Sequence, residues 1–435
     1  MKLSLAAIHA KCPHCANSVV LRAPDHSERV VCEHCHTLSE VRSGEPRELE
    51  LLRKRDKAPV SPLKILPLGT TGKLNEVDYV VVAHMRRILQ WCKEKHEQDE
   101  YWLFNQREGF RRLLYCEQHW SLAEKIATSE VNNLNVIAYF RDNKFERFDE
   151  SSSQNEYMVG EFVGVGALAS DRKASLFVRP PLMLICENHK ENKKALHGWW
   201  LATYLEIAEV ERAFGLADLA EPKNIAPHQP YPYRAVYRYW GILAALLFLT
   251  AVITNAVHKE LTVFSHTMQL RPVTGSEETQ VFFSEPFELA ARKNLRVTAQ
   301  APVNNSWLYV EGDLINEATG IVHSFVLPVE YYYGYEGGEY WSEGSTITEA
   351  YLSALPAGKY TLRVEVQWEQ WMSPFTTVIQ LQQGVPRLSH FWWALAALSA
   401  VPLFLYLFHS TWFERKQWQG SPFMPDRLKP KEDDD

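Results

Sequence analysis

The chain has 435 residues, of which 46% are hydrophobic and 23% are charged, and its formal net charge is −7. This length leaves room for two or three domains, and the composition is that of ordinary globular proteins, so membrane segments must be sought locally. The acidic excess lies in residues 258–390, which hold 8 Lys and Arg against 15 Asp and Glu. A negative balance of this kind argues against nucleic acid as a partner of that region.

The N-terminal region, residues 1–45, contains two Cys-x-x-Cys pairs. They are Cys12 with Cys15 and Cys32 with Cys35, and 16 residues separate the pairs. Each pair can place two thiolates on one metal, and a hairpin between the pairs would bring four sulfurs into a tetrahedron around Zn²⁺. The pattern resembles the zinc-ribbon family. Because four thiolates leave no open coordination position, we expect a structural zinc site.

Other interpretations of the cysteines are weaker. The alternatives are a redox dithiol or a disulfide pair, but a thioredoxin-like dithiol needs only one pair and a βαβ context that the sequence does not show. The histidines beside the pairs are expected to lie around the ligands or on the surface and not to replace a cysteine; they are His14, His34 and His36. Three further cysteines are interpreted as small buried side chains and not as nucleophiles, namely Cys92, Cys116 and Cys186.

Residues 46–62 are predicted to be a charged linker, and residues 63–218 an all-β domain. The predicted strands are short runs rich in branched and aromatic residues: Asp78–Ala83, Tyr101–Phe104, Arg111–Tyr115, Val136–Phe140, Tyr157–Val165 and Leu182–Cys186. One helix is predicted near Leu205–Phe214, with Gly215 as its stop. The proline-containing residues 219–238 predict an extended lead-in to the first apolar run.

The middle region, from about residue 63 to residue 216, resembles the bacterial family known as domain of unknown function 4178. The resemblance lies in Glu100 to Leu103, Gly109-Phe110, Trp120, Val159 to Phe162, Pro180-Pro181, Glu187, Trp199, Tyr204 and Val210 to Phe214. The glycines Gly69 and Gly72 depart from the family pattern by their longer gap to the next strand. The resemblance implies an all-β domain behind a cysteine ribbon and ahead of membrane helices. It implies no established activity, although genes of the family accompany membrane-stress and polyamine-type genes.

Two runs of 18 residues carry no charge, from Trp240 to Val257 and from Phe391 to Phe408. Each can cross a hydrocarbon core of roughly 30 Å, and the aromatic residues at their ends are typical of membrane interfaces. Helices buried in a soluble protein are the alternative, but such helices usually carry a polar stripe, which both runs lack. The sequence therefore predicts transmembrane helices at 239–257 and 391–409.

The distribution of cysteines and charges predicts the orientation. All seven cysteines precede the first span, which suits a reducing compartment, and four cations flank the spans on the same side: Arg234, Arg238, Arg415 and Lys416. We expect an inner-membrane protein of a bacterium with both termini in the cytoplasm and a cytoplasmic tail at 410–435. The apolar stretch Leu3–Ala10 has a marginal length for a signal peptide and no small-residue cleavage site follows it, so the mature chain is expected to start near Met1. Small residues in both spans would permit close packing or a homo-oligomer, and Pro402 would kink the second span.

Residues 258–390 are predicted to form an extracytoplasmic β-sandwich, with strands at Trp307–Glu311, Val322–Val329 and Tyr360–Val366. A glycine-rich loop there carries candidate contacts for a ligand or partner: Tyr332, Tyr333, Tyr335, Tyr340 and Trp341. In the alternative, these aromatic residues line the sandwich core and the glycines only make a hairpin turn.

The sequence contains no phosphate loop, dinucleotide fingerprint, nucleophile elbow or helical zinc-protease motif. Glu161, which follows Gly160, is interpreted either as a buried acceptor or as a binding carboxylate. The predicted fold class is a mostly β, multidomain membrane protein. The leading hypothesis is a non-enzymatic sensor or scaffold that recruits protein partners. The alternative is an enzyme or enzyme accessory, related to polyamines or membrane stress, that acts through Glu161 and Glu187.

Overall fold

The computed structural model of the protein describes residues 7–42, 48–54, 65–92, 94–164, 171–191, 194–257, 260–270, 278–368 and 375–429. Most of these residues lie in β-strands, which confirms the predicted mostly β class. The chain divides into two compact units. One comprises Met1–Ala235 together with Leu403–Asp435, and the other comprises Val236–Pro402.

The strands of the first unit belong to a two-stranded hairpin and one large antiparallel sheet. They are β1 (Ile8–Lys11), β2 (Ser18–Leu21), β3 (Arg29–Val31), β4 (Leu38–Val41), β5 (Leu49–Arg53), β6 (Thr71–Leu74), β7 (Val77–Trp91), β8 (Glu94–Asn105), β9 (Gly109–Cys116), β10 (His119–Ile126), β11 (Val131–Asn133), β12 (Ile137–Phe140), β13 (Asn143–Phe162), β14 (Asp171–Arg179), β15 (Leu182–Glu191) and β16 (Lys194–Leu205). Five of the six predicted runs lie on β7, β8, β9, β12 and β15, and most of these strands are longer than the runs. The sixth run, Tyr157–Val165, overlaps the end of β13 up to Phe162, and Val165 lies outside the described part.

Eight of the strands close into a barrel, in the order β7-β8-β9-β10-β16-β15-β14-β13 and back to β7. The ring consists of two meanders, β7–β10 and β13–β16, joined by the pairs β10–β16 and β13–β7. Strand β13 takes part in closure because it is 20 residues long. Its residues up to Gln154 pair with β14, and its residues from Asn155 pair with β7. Alternate side chains of each strand point into the barrel, since the side-chain period of a strand is two.

Gly160 allows the backbones of β13 and β7 to approach each other closely where the barrel closes. It has a φ of 92°, and a Cβ at this position would lie 2.2 Å from the carbonyl oxygen of Val82 on β7. Only glycine tolerates both the left-handed backbone and this contact. The predicted close backbone approach at Gly160 is therefore present.

The cysteine region is joined to the barrel by backbone pairing. Strand β3 pairs with the end of β13, and β4 and β5 continue the same sheet. Strand β5 lies inside the segment predicted as a linker, so residues 49–53 are not linker. The leucines of this strand were hidden in the sequence by the surrounding charges. Residues 43–47 and 55–64 lie outside the described part.

The predicted helix is α1 (Ile207–Phe214), and it ends at Gly215, which has a left-handed φ of 66°. Val210 and Phe214 pack on the outer face of the barrel against residues such as Tyr101 and Trp120. The chain after the second apolar helix also packs on the barrel, because Trp418 and Leu428 are buried among residues of β13 to β16. The segment predicted as a tail is thus folded, apart from residues 430–435, which lie outside the described part.

The second unit contains a sandwich of two antiparallel sheets, as predicted. One sheet contains β17 (Leu261–Leu270), β20 (Leu295–Gln300), β24 (Ile347–Leu352) and β26 (Phe375–Gln383). The other contains β18 (Glu278–Phe283), β19 (Phe287–Leu289), β21 (Ser306–Asn316), β22 (Val322–Glu336), β23 (Glu339–Ser345) and β25 (Gly358–Trp368). A single apolar cluster fills the space between the sheets, with Val297 and Leu381 on one side and Val310 and Val364 on the other.

Two helices are long and apolar enough to cross a membrane, α2 (Arg234–Val257) and a continuous helix over Leu388–Gln417. The second consists of α3 (Leu388–Phe404), a π-helical stretch (Leu405–His409) and α4 (Ser410–Gln417), and the π-helical stretch begins shortly after Pro402. The indole nitrogen of Trp240 donates to Ser399 Oγ at 3.1 Å, and the rings of Phe248 and Phe391 lie 6.4 Å apart. From the first contact to the second, the residue number rises along α2 and falls along α3, so the two helices are antiparallel.

Candidate functional site

The two Cys-x-x-Cys pairs sit in knuckles of the same geometry. In each knuckle, the residue after the second cysteine donates its backbone N–H to the carbonyl of the first cysteine. These bonds are Ala16 to Cys12 at 3.0 Å and His36 to Cys32 at 2.9 Å, and both donors have left-handed backbones. The repeated geometry turns both thiols of each pair towards the other pair.

The four cysteine sulfurs form one cluster, within 4.8 Å of one another. Cys12 Sγ lies 3.6 Å from Cys35 Sγ, and Cys15 Sγ lies 3.8 Å from Cys32 Sγ. A metal with four thiolates at about 2.3 Å would hold its sulfurs about 3.8 Å apart, whereas a disulfide would hold two sulfurs at about 2.05 Å. The predicted cluster is confirmed, and its geometry is compatible with a tetrahedral metal site.

Glu161 lies beneath this cysteine region and is fully buried. Its carboxylate accepts three hydrogen bonds from the loop that follows β2: from Arg22 N at 2.6 Å, from Ala23 N at 2.9 Å and from Ser27 Oγ at 2.8 Å. Burial raises the pKa of Glu161, although the three donors act in the opposite direction. Of the two interpretations of Glu161, the buried acceptor describes its position, and its partner is the chain's own cysteine region.

The aromatic run of the second unit forms the hairpin β22–β23. Gly337 and Gly338 make a two-residue turn with positive φ at both positions, as the register Glu336 opposite Glu339 requires. The side chains at positions 333, 335, 340 and 341 are exposed, those at 331 and 332 are half-buried, and the Tyr335 and Tyr340 rings lie 4.7 Å apart across the strands. The glycines make the turn as the alternative expected, but most of the aromatic residues do not line the core.

Within the described part of the barrel interior, a group of charged side chains lies together that the sequence did not reveal. This inner cluster consists of Arg87, Arg112, Arg172, Glu100 and Glu187. Arg112 makes two hydrogen bonds to Glu187, at 2.5 and 3.0 Å, and Arg172 makes a third at 2.8 Å. Glu100 Oε1 lies 3.2 Å from Arg87 Nε and 3.6 Å from Arg172. The guanidinium of Arg112 also lies 3.6 Å from the centre of the Trp200 ring.

The inner cluster borders a cavity of about 110 Å³. The opposite part of the lining is apolar and includes Leu89, Leu114, Leu176, Met183 and Ile185. The cause is the alternation of the strands: on β7, β9, β14 and β15, the charged residue and the apolar residues two or four positions away along the strand face the same side. The site therefore has a charged half and an apolar half.

Burial and neighbouring charges shift the pKa values of the inner cluster. Burial lowers the pKa of Arg87 to about 9, and the neighbouring Arg172 lowers it as well, so Arg87 is still protonated at neutral pH. Although burial acts to raise it, Arg112 and Arg172 hold the pKa of Glu187 well below its ordinary value. Burial acts to lower the pKa of Arg112, but Glu187 and Glu100 hold it above its ordinary value. Within the described inner cluster, the three arginines are therefore cations and the carboxylate of Glu187 is an anion.

The groups near the mouth of the cavity add little charge to its interior. Burial lowers the pKa of His228 to about 3 and also lowers that of His119, so both rings are neutral at neutral pH. Glu117 is an anion at the rim, but it is partly exposed and already accepts hydrogen bonds from Asn224 and His96. Burial raises the pKa of the Cys116 thiol to about 12, which makes it a poor nucleophile at neutral pH.

One end of the cavity is closed by residues 224–229, which we call the cover. Asn224 donates to Glu117 at 3.1 Å and its carbonyl accepts from His119 Nε2 at 3.0 Å, while His228 bonds Ser121 Oγ at 2.8 Å. The amide of Gln417 donates to the carbonyls of residues 226 and 229, at 3.1 and 2.9 Å. The cover is thus held by the barrel on one side and by α4 on the other.

Sequence reasoning placed Glu187 in a family pattern but did not pair it with arginines. A signal was present, because Arg87, Arg112 and Arg172 each stand two residues before an apolar or small residue in a strand-like alternation. The closure of the barrel is needed to see that these positions face one another. Glu161 and Glu187, which were grouped in the enzyme hypothesis, contact different groups and do not form one site.

Comparisons with known proteins provide no family assignment. No protein-family model and no curated protein matches the chain. Among solved structures, a carbohydrate-binding module of the β-sandwich superfamily is 7% identical, with 60% of this chain and 89% of that chain covered and a TM-score of 0.14. The VP2 subviral particle of infectious bursal disease virus is 8% identical, with 90% and 84% covered and a TM-score of 0.12. Scores this low assign neither a fold nor a function to this chain.

Proposed function

We propose that this chain is a non-enzymatic, membrane-anchored sensor or scaffold of the bacterial envelope. The observation that carries the proposal is the attachment of the cover. The cover closes the barrel cavity, ends a few residues before α2 begins, and is held by Gln417 at the end of the other apolar helix. A change inside the barrel would therefore reach both helices through a few residues, as a two-state signalling element requires.

The membrane arrangement is part of the same proposal. The two apolar helices span the inner membrane, with the barrel, cysteine region and both termini in the cytoplasm and the sandwich outside. The antiparallel packing of the helices supports termini on the same side, since Trp240 meets Ser399 and Phe248 meets Phe391. The location of all seven cysteines before α2 supports a cytoplasmic barrel.

We further assign Zn²⁺ to the four cysteines, because it prefers four sulfur ligands in a tetrahedron. When bound, Zn²⁺ would hold the two knuckles together. The barrel would belong to the family known as domain of unknown function 4178, which the resemblance of residues 63–216 supports. The exposed aromatic hairpin β22–β23 would contact a protein or ligand outside the membrane, because exposed tyrosine and tryptophan are typical of contact surfaces. The antiparallel helix pair would also permit a homo-oligomer.

The signalling proposal is tested by releasing the cover. Gln417→Ala removes two hydrogen bonds, which together contribute about 1 to 3 kcal/mol, so we expect hydrogen exchange in residues 224–229 of the full-length protein in nanodiscs to become at least tenfold faster. Lys416→Ala is the matched control, because Lys416 is exposed and bonds only Gln419 among the described residues.

The functional readout uses the same two variants in native membranes. A tagged full-length chain is crosslinked, purified in detergent and analysed by mass spectrometry for the proteins that accompany it. We expect stoichiometric partners with the parent chain and with Lys416→Ala, and an altered set with Gln417→Ala. The proposal fails if the parent chain has no partner, or if the two variants recover the same partners in the same amounts.

A further inference from the structure

We propose that a cleft between the barrel, the start of α2 and α4 binds the headgroup of an anionic phospholipid, with the lipid phosphate paired to Arg179 and Arg234. The inference rests on the membrane arrangement proposed above, because the lipid comes from the bilayer around the two apolar helices. It does not depend on a signal that passes through the cover.

The cleft has a volume of about 380 Å³, which falls within the range of roughly 300 to 1,000 Å³ of pockets that hold small molecules. The barrel lines one side with the ends of β13 and β14 that face the helices, and the first residue of α2 lines another. The remaining side is a single face of α4, since its lining residues follow a spacing of three and four: Ser410, Phe413, Glu414 and Gln417.

The charged side chains that line the cleft are mostly cations. In the described part of the chain they are Lys144, Arg179, Arg234 and Arg427, against Glu146 and Glu414. Both glutamates are already paired. Arg427 lies 2.6 Å from Glu414 and 3.7 Å from Glu146, and Lys144 lies 3.2 Å from Glu146. Asp426, the neighbour of Arg427 in the chain, pairs with Lys429 at 2.6 Å and so does not neutralise the cleft.

The two remaining arginines are available to an anion. Among the described residues, Arg179 and Arg234 have no acidic partner, and both side chains are exposed. A guanidinium presents a planar fork of N–H donors that matches a phosphate. Arg234 is also the first residue of α2, a helix of 24 residues, where the helix dipole favours negative charge. Two guanidinium groups and a helix N-terminus therefore attract a phosphate to the same cleft.

The cleft lies at the depth of the lipid headgroups. Arg234 stands six residues before Trp240, where the first apolar run begins, which is roughly 9 Å along the helix axis. Glu414 stands six residues after Phe408, where the second run ends, at the same distance. The headgroup layer extends roughly 5 to 8 Å beyond the hydrocarbon core, and long arginine side chains reach towards it. The phosphates of the bilayer are therefore within reach, whereas a soluble phosphate ester has no such anchor.

The experiment is native mass spectrometry of the full-length protein in a neutral detergent, titrated with phosphatidylglycerol. Phosphatidylcholine with the same acyl chains is the matched control, because its choline group cancels the charge of the phosphate. We expect one phosphatidylglycerol per chain, bound about fivefold more tightly or better than phosphatidylcholine. Equal affinity for the two lipids overturns the proposal. Displacement of phosphatidylglycerol by glycerol phosphate, at concentrations no higher than those of the lipid, also overturns it and identifies a soluble phosphate site.

Variants locate the site. Arg179→Met and Arg234→Met should each weaken phosphatidylglycerol binding about fivefold, the effect of one cation at an anionic surface, and leave phosphatidylcholine binding unchanged. Glu414→Gln frees Arg427 from its partner and should strengthen binding by about twofold or more. Arg415→Met is the control, because Arg415 is an exposed cation next to Glu414 but outside the α4 face that lines the cleft.

The same loss in Arg415→Met as in Arg179→Met indicates general attraction to the protein surface and overturns the proposal. If an arginine variant does not fold, the opposite change expected of Glu414→Gln still tests it. Flotation with phosphatidylcholine vesicles in alkaline carbonate separates the two proposals. A chain that carbonate strips from the vesicles refutes the membrane arrangement and the lipid site with it, whereas a chain that stays bound but does not prefer phosphatidylglycerol refutes the lipid site alone.

Discussion

Replacing Glu161 with alanine should loosen the cysteine region without unfolding the barrel. The fully buried carboxylate accepts hydrogen bonds from Arg22 N, Ala23 N and Ser27 Oγ, and all three donors belong to one loop. Glu161→Ala leaves two backbone N–H groups and a hydroxyl buried without acceptors. The loop would have to open towards solvent to satisfy them, and this loop connects the two knuckles.

The size of the effect follows from the number of bonds. A hydrogen bond to a charged group contributes about 1.5 to 3 kcal/mol, so three bonds would give about 4 to 9 kcal/mol if they were additive. The raised pKa of Glu161 shows that burial of its charge offsets part of this gain. We therefore expect a net loss of about 3 kcal/mol, which corresponds to an increase of about a hundredfold in the open population of the loop.

The assay is the rate at which a chelator removes the metal from the full-length protein. If metal release requires opening of the loop, Glu161→Ala should accelerate it by up to about a hundredfold, while the fluorescence of the barrel tryptophans stays unchanged. Glu33→Ala is the matched control, because Glu33 is an exposed carboxylate of the same region. Equal release rates for Glu161→Ala and Glu33→Ala would refute the reasoning.

Three further expectations follow from single positions. Gly160→Ala should lower the free energy of unfolding by about 3 kcal/mol or more, because the backbone is left-handed there and the new Cβ would clash with Val82. Gly198→Ala is the control and should change the free energy of unfolding little, since the space around its Cβ is open. Chemical denaturation measures both variants. In the folded protein, the pKa of His228 is lowered from 6.5 to about 3, so on acidification His228 is protonated first in the unfolded chain. Stability should therefore fall as the pH drops below about 6.5, by at most about 1.4 kcal/mol per pH unit. His228→Gln should flatten this part of the plot of melting temperature against pH. Elemental mass spectrometry should find one Zn²⁺ in the parent chain and less Zn²⁺ in Cys15→Ser. Cys92→Ser is the control and should keep the Zn²⁺ content of the parent chain. Equal Zn²⁺ content in the two variants would exclude the four-cysteine site.

The sequence predicts local features of the fold well. The strands of β7, β9 and β15, the helix α1 with its stop at Gly215, and the two apolar helices all follow from patterns within about 20 residues. The four-cysteine cluster follows from spacing alone, because metal-binding knuckles have a fixed local geometry. These features need no knowledge of which strands are neighbours.

The barrel interior could not be predicted in the same way. Its closing pair joins Asn155 on β13 to Arg87 on β7, which are far apart in the chain, and no local pattern specifies a non-local pair. Without that pair, Arg87 and Glu100 look like surface charges on alternating strands. The sequence also left undecided whether Tyr335 and Tyr340 are exposed, because a tyrosine in a strand suits both a core and a contact surface.

The boundary between the cysteine region and the barrel is the clearest case in which a sequence module is not a folding unit. Residues 1–45 carry a self-contained metal motif, yet β3 pairs with the end of β13, and Ala23 and Val31 share an apolar cluster with Val82, Trp102 and Phe162 of the barrel. A chain that begins at residue 46 would expose this cluster and leave Glu161 buried without donors.

The expected consequence is a melting temperature of the barrel well below that of the full chain, with aggregation of the shortened protein. Cys15→Ser in the full chain is the matched comparison, because it weakens the metal site and leaves the strand pairing of β3 in place. If the shortened chain melts no lower than Cys15→Ser, the cysteine region is an independent module after all, and the hydrogen bonds to Glu161 contribute little to the barrel.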